Sequence, residues 1–179
     1  MQQRDPSAQP APVRRIAVLR PNRRLGNTLL LSPLLQGLEA RFPQARIELI
    51  SGCGAAGALF RRFPQVDRAF MFSSSHLGRT VATLAALKRR PYDLAIEPVR
   101  RSRTGRFLLG YVRARERLGF SWGEPAHDRM LTHAADPRLA PPHMALSPLY
   151  LLRSAYDAPT SPPQAAAAAQ AGAADLTLD

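Results

Sequence analysis

The chain has 179 residues, enough for one domain of ordinary size, and 45% of them are hydrophobic, enough for a real core. With 25 Lys and Arg against 13 Asp and Glu the net charge is +12, which favours an anionic partner: nucleic acid, an acidic membrane, or a phosphorylated or carboxylated substrate. The single cysteine, Cys53, excludes an intramolecular disulfide and a zinc-type cluster, the 4 histidines lack metal-ligand spacing, and no apolar run approaches the ~20 residues of a membrane span.

Residues 1–13 read as a disordered tail without an apolar leader, so a cytoplasmic location is expected. Ile16-Ala17-Val18-Leu19 is apolar without alternation, the habit of a strand buried on both faces of a parallel sheet. A basic turn, Arg20 to Asn27, follows, and then Leu30, Leu34, Leu35 and Leu38 recur at helical spacing. Arg46–Ile50 predicts a second strand, 55–63 a short helix ended by Pro64, and 69–72 a third strand. A loop at the serine run 73–75 leads to a helix over 78–90 with Val81, Leu84 and Leu87 inward, and Asp93–Glu97 is a fourth strand. A second basic turn, Val99 to Gly105, opens a helix through about Tyr111, and Arg117–Phe120 is a fifth strand. Residues 121–141 read as irregular, 142–156 as a last amphipathic helix, and 158–179 as a low-complexity linker or tail. The alternation predicts one α/β domain over 14–157, a Rossmann-like parallel sheet flanked by helices.

In such sheets ligands bind past the carboxyl ends of the strands, which makes the two basic turns the first candidates. In the first, Arg20, Arg23 and Arg24 supply forked donors beside a helix N-terminus, with Asn27 as its cap. No Gly-Lys-Ser/Thr follows, so it is not a P-loop. In the second, Glu97 sits where a catalytic carboxylate would sit, with Arg100, Arg101 and Arg103 expected to surround it and hold it ionised. A literal Gly-x-Gly-x-x-Gly at Gly52–Gly57 lacks the acidic residue that would close the next strand on a ribose, and small residues at a crowded turn explain it. Phe120 and Trp122 beside Arg117 are the aromatic-basic combination of a nucleic-acid platform, but following a strand they are expected to pack at its rim. Only electrostatics speaks for nucleic acid, and no such partner is expected.

The order of these segments resembles the N-terminal domain of glycosyltransferase family 9, the lipopolysaccharide heptosyltransferases. The resemblance rests on Leu25-Gly26-Asn27-Thr28 running into Ser32-Pro33-Leu34-Leu35, on Arg41-Phe42-Pro43 and Phe63-Pro64-Gln65-Val66-Asp67, and on Tyr92–Glu97, the pair Arg103-Thr104, Arg117–Phe120 and His143 with the helix after it. It implies the N-terminal half of a GT-B fold, with an inverting, metal-independent transfer of a sugar from a nucleotide-sugar donor such as ADP-heptose to a lipopolysaccharide-core acceptor. The acceptor would lie on Arg20, Arg23, Arg24, Thr28, Arg100, Arg103 and Thr104. The family's catalytic Asp falls on Asn27, whose amide cannot accept a proton, so either Glu97 substitutes as base, or Asn27 only orients the hydroxyl, or catalysis is lost. The C-terminal, donor-binding domain is not expected within these residues, so the isolated chain should transfer nothing. The alternative is a non-catalytic module for anionic glycans, or an inactive remnant. Attachment to the inner membrane would be peripheral, through basic surface on anionic headgroups.

Overall fold

A computed structural model describes residues 12–73 and 75–157, so the tails expected at 1–13 (apart from Pro12 and Val13) and at 158–179 lie outside the described residues. Six parallel strands, β1 (Arg15–Arg20), β2 (Arg46–Ser51), β3 (Val66–Met71), β4 (Tyr92–Glu97), β5 (Ala114–Phe120) and β6 (His133–Ala135), form one sheet in the order β3-β2-β1-β4-β5-β6. The helices are α1 (Leu25–Leu29), α2 (Ser32–Arg41), α3 (Ala56–Leu59), α4 (Leu77–Arg89), α5 (Arg103–Tyr111), α6 (Pro125–Asp128) and α7 (Leu146–Tyr156).

The apolar run in β1 is continuous because successive side chains enter opposite cores. Ile16 and Val18 join Leu34, Leu35, Leu38, Leu151 and Leu152 on the side of α2 and α7. Ala17 and Leu19 join Leu87, Leu108 and Leu109 on the side of α4 and α5. At the amino end of the sheet the buried Glu48 carboxylate holds three strands together. It accepts from Arg15 at 3.2 Å, Arg90 at 3.0 Å and the Tyr92 hydroxyl at 2.5 Å. Burial, and then this bond to Glu48, push the Tyr92 phenol up.

Three expectations change. The helix after β1 is two helices, because the chain turns at Leu30–Leu31, where Leu31 N–H bonds the Thr28 carbonyl and α2 restarts with Pro33 in its first turn. Val81 is not inward: α4 buries Thr83 and Leu87, half-buries Leu84 and turns Val81 to solvent. The stretch 121–141 is not wholly irregular, since it holds α6 and β6. Strand β6 is too short to show a period, and it is registered by Thr132, whose hydroxyl accepts from Arg117 N–H and donates to the Arg117 carbonyl.

Candidate functional site

The strand order reverses between β1 and β4, so the helices after these two strands leave on opposite faces and a crevice opens beyond Arg20 and Glu97. There lies a cleft of about 260 Å³ lined by, among others, Arg20, Asn27, Val99, Arg100, Arg101 and Met144. The two basic turns therefore share one mouth.

Arg20 is 8% exposed, and its buried Nε has no hydrogen-bond partner. Burial lowers its pKa, opposed by the charge of Glu97. Asn27 is half-buried in the short helix α1. It caps nothing: the N-cap of α1 is Arg24, without a side-chain cap bond, and the turn before it is closed by Asn22 Oδ1, which accepts from Arg24 N–H at 2.7 Å. Arg100 braces the opposite wall, its Nη2 donating to the Ala140 and Pro141 carbonyls at 3.2 and 2.9 Å and to Ser147 Oγ at 3.1 Å. Arg101 pairs with Glu124 and lies over the Trp122 ring, 5.1 Å from its centroid.

Glu97 differs from expectation. Its partner is Arg106, with Nη2 at 3.3 Å from Oε2, and the two side chains are 0% and 2% exposed. Arg100 and Arg101 reach away toward Ala140 and Glu124, and Arg103 is exposed at the start of α5. Arg106, one turn into α5, is the arginine directed back at the strand end. Gly105 permits this approach, since a Cβ there would stand 2.9 Å from both Glu97 Cγ and Oε1. Burial outweighs the charge and hydrogen bond of Arg106, the Val99 N–H and the Arg20 charge, so the Glu97 carboxyl is pushed up to about 8 rather than held ionised. Its Oε1 has no partner.

Of the other expected contacts, Thr28 is fully buried, its hydroxyl donating to the Arg24 carbonyl at 3.2 Å, and it does not line the cleft. Arg23, Arg24, Arg103 and Thr104 are exposed and lie outside the lining of the cleft. Part of the apolar wall, Met144 and Pro148, escaped sequence reading because it comes from the segment before α7 and from the first turn of α7, more than a hundred residues after β1.

The glycine pattern 52–57 is a crowded turn: a Cβ at Gly52 would stand 3.0 Å from the Asn22 carbonyl carbon. Phe120 is core, and Arg117 is tied to the Leu109 and Val112 carbonyls. The cations over Trp122 are instead Arg101 and Arg106, so the stretch is no stacking platform with Arg117. Among the described residues no three His, Cys, Asp or Glu side chains form a metal-binding group, and no helix is long and apolar enough to cross a membrane.

No protein-family model and no curated protein matches the sequence. Solved structures match the fold. The E. coli heptosyltransferase WaaC with ADP superposes with a TM-score of 0.65 at 15% identity, over 80% of this chain and 47% of that one. The family 9 glycosyl transferase of Veillonella parvula DSM 2008 gives 0.66 at 18% identity, over 87% of this chain and 45% of that one. The fold is that of the N-terminal part of these glycosyltransferase structures. WaaC with ADP-2-deoxy-2-fluoro heptose matches similarly, with a TM-score of 0.63 at 15% identity over 79% and 48% of the two chains. The chain thus spans about half the length of the heptosyltransferase-like structures it resembles, and corresponds to their N-terminal part. Within this α/β fold, the cleft occupies the strand-order reversal, where Arg20 and Asn27 face Arg100.

Proposed function

We propose that the chain is the acceptor-binding half of a heptosyltransferase-like glycosyltransferase, which takes a negatively charged core-type oligosaccharide into the cleft beyond β1 and β4. The observation that carries this reading is Arg20. A guanidinium taken out of water without hydrogen bonds is unfavourable by several kcal/mol unless an anion meets it (roughly, for a buried ion). This one lines a cleft, at the strand-order reversal, with no partner for its Nε. A carboxylate or phosphate of the acceptor fits its forked donors.

Transfer by inversion needs a sugar hydroxyl aimed at the anomeric carbon of a nucleotide sugar of the ADP-heptose type, which a second domain would hold without a metal. The hydroxyl oxygen bonds to the anomeric carbon as the nucleoside diphosphate leaves from the opposite face, and the hydroxyl proton passes to a base. Asn27 Oδ1 can accept a hydrogen bond from that hydroxyl and orient it, but cannot take its proton. Glu97 has the proton affinity of a base at neutral pH, although its side chain lies behind the cleft wall. Work at the inner, cytoplasmic membrane face, where a lipid-linked acceptor is found, belongs to the same reading. A non-catalytic glycan-binding module is the second reading, and the amide at Asn27 favours it.

Titrating the labelled full chain with an acidic core oligosaccharide at low salt should shift the amides of Asn27, Arg100 and Arg101, and Arg20→Met should abolish the shifts. Absence of shifts in the parent chain would sink the glycan reading. Supplying ADP-heptose and a separately expressed donor domain then separates the two readings. Transfer that Glu97→Gln removes makes Glu97 the base. Transfer that appears only in Asn27→Asp makes the natural chain a binding module.

A further inference from the structure

Two buried polar atoms without partners, Arg20 Nε and Glu97 Oε1, belong to the last residues of neighbouring strands, since Arg20 ends β1, Glu97 ends β4, and β1 pairs with β4. No hydrogen bond or ion pair joins these two residues among the described residues, although each charge acts on the pKa of the other. Only Arg20 lines the cleft. Glu97 is 0% exposed behind its wall.

The charges facing Glu97 come from each element packed against it. Arg106 approaches from α5 and Arg20 from β1, with the Val99 N–H from the turn that follows. Strand β5 sets Gly119 beside Glu97 and brings no charge. Behind Arg106, Asp128 of α6 lies 3.4 Å from its Nη1. Burial opposes ionisation of Asp128, but hydrogen bonds from Ser121 and the Trp122 N–H, with the charge of Arg106, lower its pKa. Of the other cleft cations, Arg100 is spent on carbonyls and Arg101 pairs with Glu124. Two guanidiniums therefore meet two carboxyls. With Glu97 ionised the group of four is neutral. With Glu97 protonated one positive charge is left over, on Arg20 at the cleft. In surroundings poor in water such an excess is unfavourable, and either an external anion or loss of the Glu97 proton removes it. The two remedies compete, because both together leave one negative charge over.

We infer that anion binding at Arg20 is coupled to the proton on Glu97: the cleft takes a carboxylate or phosphate while Glu97 is protonated and releases it when Glu97 ionises. This rests on the reading that Arg20 meets an anion, and adds how that site is regulated. Burial, the largest influence, pushes the Glu97 carboxyl up to about 8, so the exchange falls just above neutral pH. Proton and anion favour each other, so affinity falls as pH rises through this value, and binding near it takes up protons. A Glu97 that keeps its proton in the complex is no base for transfer, so this coupling and a basic role for Glu97 exclude one another.

Inorganic sulfate is the probe, because its charge is constant in this range. Calorimetric titration of the full chain at low salt should give an affinity lower by about tenfold at pH ~9.5 than at pH ~6.5, the effect of one nearby charge. Histidines, Cys53 and the amino terminus also titrate there, so Glu97→Gln is the comparison and should lose most of the dependence. Near pH ~8 the parent chain should take up about half a proton per sulfate, read from the heats in two buffers of different ionisation enthalpy. That measurement needs no variant. Arg20→Met should bind sulfate at least about tenfold more weakly and take up no proton. Sulfate binding without proton uptake, or with a pH dependence that Glu97→Gln keeps, overturns the coupling and leaves the glycan reading standing. Absence of Arg20-dependent sulfate binding overturns the coupling as well, and the oligosaccharide titration then decides the glycan reading by itself.

Discussion

Arg106 Nη2 lies 3.3 Å from Glu97 Oε2 with both side chains out of solvent, and the same guanidinium donates to the Phe120 carbonyl at 2.6 Å and the His127 carbonyl at 3.1 Å. One side chain from α5 thereby ties together the ends of β4, β5 and α6, directly behind the cleft.

Removing it should be severe. Arg106→Met leaves the buried Glu97 carboxyl and two carbonyls without a donor, and should lower stability by about 3–5 kcal/mol. Urea unfolding of Arg106→Met, Glu97→Gln and the double variant measures this. The loss in the double variant should fall short of the sum of the two single losses, because the two side chains share one contact.

The pH dependence follows from Glu97. Its pKa rises from an ordinary 4.5 to about 8 on folding. Between these values the folded state binds the proton and the unfolded state does not, so this group's contribution falls as pH rises through the window. Glu97→Gln should remove that slope, on the order of 3 kcal/mol across the window. Stability curves of parent and variant measured at several pH values and subtracted cancel the groups shifted the other way, such as Asp128. Parallel curves would show that Glu97 does not titrate there.

Arg20 should separate stability from binding. Burial is the larger influence on its pKa, ahead of the attraction of Glu97. Arg20→Met should therefore leave stability unchanged or raise it by ~1 kcal/mol, while affinity for an acidic oligosaccharide falls by about tenfold. Thermal melts and calorimetric titration read the two effects. A strongly destabilised variant would make Arg20 a structural residue.

Two glycines near the cleft should respond in opposite ways. A methyl at Gly52 meets the Asn22 backbone, its carbonyl carbon at 3.0 Å and oxygen at 3.1 Å, whereas nothing lies within 4 Å of one at Gly26. Gly52→Ala should be destabilising by ~1–3 kcal/mol, because backbone must shift. Gly26→Ala, inside α1, should be neutral or stabilising by up to ~1 kcal/mol. Chemical denaturation of both variants checks the pair.

By itself the sequence determined the α/β alternation and the placing of two arginine-bearing turns after β1 and β4. Both follow from local pattern: apolar runs and helical periodicity are short-range signals, and Pro43, Pro64 and Pro91 punctuate them. What those turns do was decided only by tertiary structure. Arg20, Arg100, Arg101, Arg103 and Arg106 are alike in sequence. Strand order and helix direction left the Arg20 Nε buried without a hydrogen-bond partner, spent Arg100 on carbonyls from the segment before α7, exposed Arg103, and sent Arg106 to Glu97. Val81 escaped for a related reason, since helical spacing marks a stripe without saying which stripe meets the sheet. A side chain's charge belongs to the residue, but its desolvation and its partner come from segments far away in the chain.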